Sequence, residues 1–184
     1  MIISTDSQTI LSLCSHLGLT STSVYSPLSL KEWNILARKI QSLSLRPGDI
    51  LNFSSNDIQD RLEVKNEDFK RISFLMQRSG SLAIELEHLE SLGISVMTRA
   101  DNDYPSRYRQ RLKESAPVIL FYSGEKSLLG QPGIAIVGSR HLDDIGKECA
   151  EFIGNACGLS GLVLYSGGAK GVDSLSMTAA LNAH

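Results

Sequence analysis

The chain has 184 residues, 42% of them hydrophobic and 21% charged, with a formal net charge of −2. This length accommodates one domain or two small ones, and the hydrophobic fraction excludes a wholly disordered chain. Because 18 basic residues face 20 acidic ones, a basic surface over the whole protein is excluded, and any site for a polyanion must be local. The three scattered cysteines, the absence of a long apolar run and the lack of a signal peptide predict a cytoplasmic protein without a disulfide scaffold, zinc site or membrane span.

Residues 1–92 carry the periodicity of amphipathic helices and predict an all-helical domain. The clearest signal is the capping box Ser29-Leu-Lys-Glu32, which precedes apolar residues at helical spacing: Trp33, Leu36, Ile40 and Leu43. We expect Pro47-Gly48 to end that helix. Further helices are predicted around Leu11–Leu17, over Asp57–Val64, and over Glu67–Leu92 with a break near Ser79-Gly80 and a C-terminal cap at Gly93.

Residues 93–184 change to an alternation of short strands and helices, which predicts an α/β domain. Strands are expected at 94–98, 118–122, 134–137 and 162–165, and helices at 145–157 and 173–183. The last two strands each lead into a helix, so they should form a parallel sheet with right-handed crossovers. The continuous apolar run Ile134–Val137 is typical of a strand buried on both faces.

Two loops follow these parallel strands, where ligands bind in open α/β sheets. They are Gly138-Ser-Arg140 and the segment Ser166-Gly-Gly-Ala-Lys-Gly-Val-Asp173. Glycines allow backbone N–H groups to approach an anion, and Arg140 and Lys170 add positive charge. Asp173 is either the helix N-cap or an acceptor that orients a ligand. The structural alternative is that the glycines only form tight turns and that Arg140 pairs with Asp143 or Asp144.

Other functional patterns are missing from the sequence. The glycine spacing fits neither a dinucleotide fingerprint nor a P-loop, and no arrangement of side chains supports catalysis, a metal site or a cofactor. Basic residues at 107, 109, 111 and 113, near Tyr104 and Tyr108, could follow a nucleic-acid backbone. A solvated helix face explains them better.

Several of these motifs together resemble the DNA-processing protein A (DprA/Smf) family. The resemblance rests on Tyr104-Pro105, on Pro117-Val-Ile-Leu-Phe-Tyr-Ser-Gly124, on Ile134-Ala-Ile-Val-Gly-Ser-Arg140 and on the second glycine loop, in the family's order and spacing. It implies an extended Rossmann-like domain that binds single-stranded DNA by its phosphates, forms homodimers and loads the RecA recombinase during DNA uptake and natural transformation. The family's phosphate pocket falls on Gly138, Ser139, Arg140, Ser166, Gly167, Gly168, Ala169, Lys170 and Gly171, and we add Asp173 to this candidate site.

The sequence also departs from the family. Ser176-Met177 stands where the family typically has Ala-His, and the family's sheet continues for several strands beyond the two strand–helix units present here. We therefore expect a helical domain (1–92) followed by the start of a Rossmann-like domain (93–184) that is incomplete at its C-terminus. An alternative function is a Rossmann-like sensor or hydrolase of free nucleotides, similar to the phosphoribohydrolases, which use the same strand-end pocket.

Overall fold

The computed structural model describes residues 3–183, and the chain divides into two compact units, Met1–Lys126 and Ser127–His184. The first unit contains six helices and two strands among its described residues: α1 (Thr5–Cys14), α2 (Leu30–Ser42), α3 (Ser55–Leu62), α4 (Asn66–Met76), α5 (Ser79–Ser91), β1 (Ser95–Thr98), α6 (Ser106–Leu112) and β2 (Ile119–Tyr122). The second unit contains β3 (Gly133–Ala135), α7 (Asp144–Leu159), β4 (Val163–Tyr165) and α8 (Val172–Asn182). Short 3-10 helices cover Pro47–Asn52, Lys113–Ser115 and Lys126–Gly130. None of the described helices is long and apolar enough to cross a membrane.

The core of the first unit forms where the apolar faces of α1, α2 and α4 meet. Its buried side chains include Ile10, Leu13, Trp33, Leu36, Ile40, Ile72 and Leu75. The predicted capping box begins α2: the Ser29 hydroxyl accepts a hydrogen bond from the Glu32 N–H (3.3 Å), and the Ser29 N–H donates to the Glu32 carboxylate (2.7 Å). Arg71 also donates to Glu32 (2.7 Å), and this hydrogen bond is the main reason that the pKa of Glu32 falls to about 2. The capping box therefore links α2 to α4.

The long apolar segment 67–92 is broken as predicted, with α4 ending at Met76 and α5 beginning at Ser79. Arg78, between them, is only 8% exposed. Gly93 has a φ of +70°, and the Ile94 N–H donates to the Leu89 carbonyl (2.9 Å), which confirms the predicted C-terminal cap. The prediction that Pro47-Gly48 ends α2 is wrong, because α2 already ends at Ser42 and Pro47 instead begins the 3-10 helix Pro47–Asn52.

The next two predicted strands are confirmed and form an antiparallel pair. Ser95 lies opposite Tyr122 and Thr98 opposite Ile119. Both strands belong to the first compact unit, with the helices. The boundary between the compact units therefore lies after residue 126. The domains predicted from the sequence, 1–92 and 93–184, remain a prediction.

The second unit is the predicted strand–helix–strand–helix arrangement. β3 and β4 are parallel, with Gly133 opposite Val163 and Ala135 opposite Tyr165. Helices α7 and α8 pack closely because their facing residues are small: a Cβ added at Gly154 would lie 2.3 Å from the Ser176 carbonyl oxygen. The fold is therefore α/β with a helical N-terminal part.

The prediction that Ile134–Val137 is buried on both faces is wrong for the described structure. Ile134 is 42% exposed and Val137 is 82% exposed, whereas Ile136 is buried. Among residues 3–183, β3 has a single strand neighbour, β4, so these side chains lack a second covering layer. The large apolar residues of α7 are exposed for a related reason, since α8 packs on the small-residue face and leaves Phe152 73% exposed.

Candidate functional site

The two glycine loops lie at the same edge of the parallel sheet, because they follow the carboxyl ends of the paired strands β3 and β4. The pairing continues one residue beyond β3, where the Ile136 N–H donates to the Tyr165 carbonyl (2.9 Å). The first loop then leads to α7 and the second to α8. The fold thus brings the two predicted segments together.

The loops are in direct contact through their backbones. The Val172 N–H donates to the Ser139 carbonyl (3.1 Å), and a Cβ on Gly171 would lie 2.2 Å from the same oxygen. A Cβ on Gly138 would lie 2.5 Å from a methyl group of Val172. Glycine at 138 and 171 is therefore required by the close approach of one loop to the other.

Asp173 is the residue that joins these loops electrostatically. It is 5% exposed and lies in the first turn of α8, whose N-cap is Gly171, so Asp173 is not the N-cap. The pKa of its carboxyl is lowered by the neighbouring Ser166 hydroxyl and by the backbone N–H groups of Ala169, Gly138 and Gly167. The Ser166 hydroxyl is buried and forms no hydrogen bond of good geometry among the described residues, although it lies beside this carboxylate. The protein's own carboxylate thus uses N–H groups from both loops.

This arrangement changes which groups remain available for a ligand. The N–H groups of Gly138, Gly167 and Ala169 already face the Asp173 carboxylate, and the Ser139 hydroxyl is engaged with the backbone of His141. Gly168 and Lys170 are exposed. A second anion would therefore be bound mainly by side chains of the loops.

Arg140 and Lys170 are the two cationic side chains at this site, and both are exposed. The aspartates proposed as structural partners of Arg140 have other contacts. Asp143 accepts a hydrogen bond from the Gly146 N–H (2.8 Å) at the start of α7, and Asp144 pairs with Lys147 (2.9 Å). Within residues 3–183, neither Arg140 nor Lys170 has an ion-pair partner, so both charges are available to an external anion.

Ser176, which replaces the family's usual residue, has a packing role. It is fully buried, and its hydroxyl donates to the Asp173 carbonyl (3.1 Å) within α8. Its own carbonyl lies against Gly154 of α7. Ser176 therefore supports the helix that carries Asp173.

The basic residues at 107, 109, 111 and 113 do not form a continuous strip. Arg107, Arg109 and Arg111 lie on α6, where helical geometry distributes the charges around the axis, and Lys113 follows the end of that helix. Tyr104 is buried, with its hydroxyl donating to the Pro117 carbonyl (2.7 Å), and Arg109 lies over its ring (5.5 Å to the centroid). Tyr104 and Arg109 thus have structural contacts in this segment.

The lowered pKa of Asp173 predicts acid sensitivity of the second unit. A carboxyl whose folded-state pKa is depressed stabilises the fold above its unfolded pKa, about 3.9, and this contribution is lost as the pH falls through the folded value. Below about pH 4, the protection of amides in residues 127–183 against hydrogen exchange, measured relative to their intrinsic exchange rates at the same pH, should therefore fall in the natural protein. In Asp173→Asn this region should exchange faster at neutral pH and lose the corresponding acid-dependent step.

Hydrogen exchange in residues 3–126 provides the control for that prediction. Glu32, whose pKa is also low, gives the first unit its own acid dependence, which Asp173→Asn should leave unchanged. An identical pH profile for residues 127–183 in the variant and the natural protein would contradict the role given to Asp173.

Comparison with known proteins agrees with these features. Residues 95–184 match the family described as "DNA recombination-mediator protein A". Over 67 residues the chain is 45% identical to the DNA processing protein DprA of Streptococcus pneumoniae (strain ATCC BAA-255 / R6), an alignment that covers 36% of this chain and 23% of that protein.

The fold is also similar to a solved structure. The X-ray structure of DNA processing protein A (DprA) from Streptococcus pneumoniae matches with a TM-score of 0.58 and 24% identity, covering 100% of this chain and 56% of that chain. The chain therefore spans little more than half the length of its structural relative. Residues 95–184, which carry both glycine loops, are therefore the part of the chain that is similar to the DprA family.

Proposed function

We propose that this protein binds single-stranded DNA through its phosphates at the two glycine loops, without catalysing a reaction and without a cofactor. The observation that carries the proposal is that Arg140 and Lys170 are exposed and have no carboxylate partner within the described residues. Both lie in loops that follow parallel strands. Arginine and lysine are the side chains that neutralise phosphates, and such contacts carry little sequence specificity.

The backbone of the site supports the same proposal. The hydrogen bond from the Val172 N–H to the Ser139 carbonyl (3.1 Å) joins the two loops, so Arg140 on one loop and Lys170 on the other lie on adjacent segments. A carboxylate in the N–H cluster also repels an anion placed there, which directs phosphates to the exposed side chains. The candidate site then comprises Gly138, Ser139, Arg140, Ser166, Gly167, Gly168, Ala169, Lys170, Gly171 and Asp173, with the two cations as the direct contacts.

The wider role that we propose follows from the family. DNA recombination mediation is the family's described role, and we infer that this protein acts in the cytoplasm during DNA uptake, where it loads RecA onto incoming single strands as a homodimer. The proposal of these partners draws on relatives that are longer than this chain, which matches only part of their length.

The double variant Arg140→Ala/Lys170→Ala should bind oligothymidylate far more weakly than the natural protein. Each lost charged hydrogen bond is expected to reduce affinity about tenfold. The plot of log K against log salt should also become shallower by about 0.7 for each phosphate contact removed. Fluorescence anisotropy with a labelled oligothymidylate at several salt concentrations measures both quantities.

Lys147→Ala is the matched control, because Lys147 is an exposed cation of the same unit that pairs with Asp144. It should leave affinity and salt slope unchanged. If the double variant behaves like this control, the loops are not the DNA site. Displacement of the oligonucleotide by low concentrations of a free nucleotide would favour the nucleotide-sensor alternative.

A further inference from the structure

A groove in the first unit carries three arginines from three separate segments. It has a volume of about 410 Å³ and lies between α2, the start of the Pro47–Asn52 helix and the residues after β1. Arg38 comes from α2, Arg46 precedes Pro47, and Arg99 follows β1, while the buried side chain of Trp33 lines the same groove. The fold thus brings Arg99 close to two arginines that come much earlier in the chain.

The carboxylates in this groove only partly compensate these charges. Asp6 is buried and uses its two oxygens for the Gly48 N–H (2.8 Å) and for Arg46 (2.6 Å). Glu114 forms a 3.5 Å contact with Arg38, in which both side chains are more than 60% exposed. Such an exposed ion pair is weak, so Arg38 can exchange its partner for another anion.

Arg99 is the strongest sign of a binding role. It is partly buried, and among the described residues its guanidinium has no carboxylate within ion-pair distance; it donates to the neutral Asn34 side chain (2.5 Å). Burial lowers its pKa and Arg109 contributes in the same direction, whereas Tyr104, Cys14 and Glu114 act in the opposite direction. Arg109 in turn donates to the carbonyls of Arg99 and Asp101, which fixes the backbone that presents Arg99. A guanidinium held in place without an anionic partner is suited to an external anion.

We propose that this groove is a second contact for single-stranded nucleic acid, in which Arg38, Arg46 and Arg99 bind successive phosphodiester groups. The inference rests on the proposed function for its ligand, but it concerns a separate set of residues. Three guanidinium groups along one groove fit a chain of phosphates better than one isolated phosphate, because each can bind a different group.

Trp33 provides a direct test, because it is the only tryptophan of the chain and lines the groove. Oligothymidylate should change Trp33 fluorescence, and should still do so in the Arg140→Ala/Lys170→Ala background, where the loop site is removed. An unchanged Trp33 signal in a protein that binds DNA overturns the groove proposal and leaves the loop site intact. In the alternative outcome, the loop variant binds DNA as tightly as the natural protein and keeps the Trp33 response. That result supports the groove and overturns the loop assignment.

The second measurement is the salt dependence of DNA binding by the double variant Arg38→Gln/Arg99→Gln. The slope of log K against log salt should fall by about 0.7 for each arginine that contacts a phosphate. Arg38→Gln alone should reduce it by about 0.7 and, as an exposed substitution, should leave the thermal unfolding midpoint unchanged. Lys65→Gln removes one exposed charge of the same unit outside the groove and should have no effect on the slope.

Two further results would overturn the groove proposal. One is a salt slope for folded Arg38→Gln equal to that of Lys65→Gln. The other is displacement of oligothymidylate by poly-glutamate, detected by Trp33 fluorescence, at a charge concentration equal to or lower than that of the oligothymidylate. That result would indicate a site for an acidic polypeptide. Weak displacement by poly-glutamate at matched charge concentration supports a phosphodiester ligand.

Discussion

Arg78→Ala is expected to lower the free energy of unfolding of the first unit by about 3–5 kcal/mol, because it removes a buried charged group and leaves several acceptors unpaired. The guanidinium donates to the Ser15 carbonyl (2.7 Å), to the Leu11 and Leu75 carbonyls (3.3 Å each), and to the carbonyls of Ser12 and Leu17. Most of these oxygens belong to the C-terminal end of α1 or to the residues after it. Arg78 is thus a side-chain cap for that helix.

The physical reason for so large an effect is the lack of an alternative partner. The last carbonyls of a helix have no N–H donor within the helix, and they form the negative end of the helix dipole, which favours a cation. Burial lowers the pKa of Arg78, yet an arginine remains charged in a protein, so the carbonyl oxygens supply the compensation. Alanine at this position would leave the Ser12, Ser15 and Leu17 carbonyls without this donor, whereas the Leu11 carbonyl keeps the Ser15 N–H (3.1 Å) and the Ser15 hydroxyl (2.7 Å).

Urea unfolding followed by Trp33 fluorescence measures this effect, since Trp33 belongs to the core of the first unit. Arg61→Ala is the matched control: Arg61 is exposed and lies over the Phe53 ring (4.7 Å to the centroid), a contact with an expected contribution of about 0.5–1 kcal/mol. Equal losses in the two variants would show that Arg78 is not a cap of α1.

The elements that the sequence predicts well are those with a strong local signal. The capping box and the apolar spacing after Ser29 place α2 correctly, because both depend on residues within one helix. The apolar runs 134–137 and 162–165 each contain a strand, and the glycine loops follow them at one sheet edge. The parallel pairing, and therefore the meeting of the two loops, follows from the alternation of strands and helices.

The features that sequence reasoning missed depend on contacts between distant residues. Nothing near Arg78 indicates that its side chain caps a helix more than sixty residues earlier in the chain. The carboxylate of Asp173 is another case, since its binding to the Gly138 N–H requires the loop that follows β3. The sequence did offer one indication of this role, because Asp173 lies in the first turn after a glycine-rich loop. A carboxylate at that position can compete with an external anion for the same N–H groups.

Gly171→Ala is expected to disrupt the candidate site more than any other small substitution in the second unit. Gly171 has φ +95° and ψ −129°, a conformation that costs an alanine about 1–3 kcal/mol. The added methyl group would also lie 2.2 Å from the Ser139 carbonyl oxygen and 2.8 Å from Arg140 Cα. Because these atoms are backbone, the loops must separate, so the total loss of stability should reach about 2–4 kcal/mol.

The displacement should also reach the proposed DNA contact. Arg140 is carried by the loop that the new methyl group would push away, so its distance from Lys170 would change and oligothymidylate affinity should fall about tenfold, as for loss of one charged contact. Gly161→Ala is the matched control, because Gly161 also has a positive φ (+64°) but a Cβ there would meet no atom within 4 Å. That variant should lose only about 1 kcal/mol and retain its DNA affinity. Hydrogen exchange over residues 127–183 and fluorescence anisotropy measure the two effects, and equal behaviour of the two alanine variants would mean that close contact between the loops is not what holds the site together.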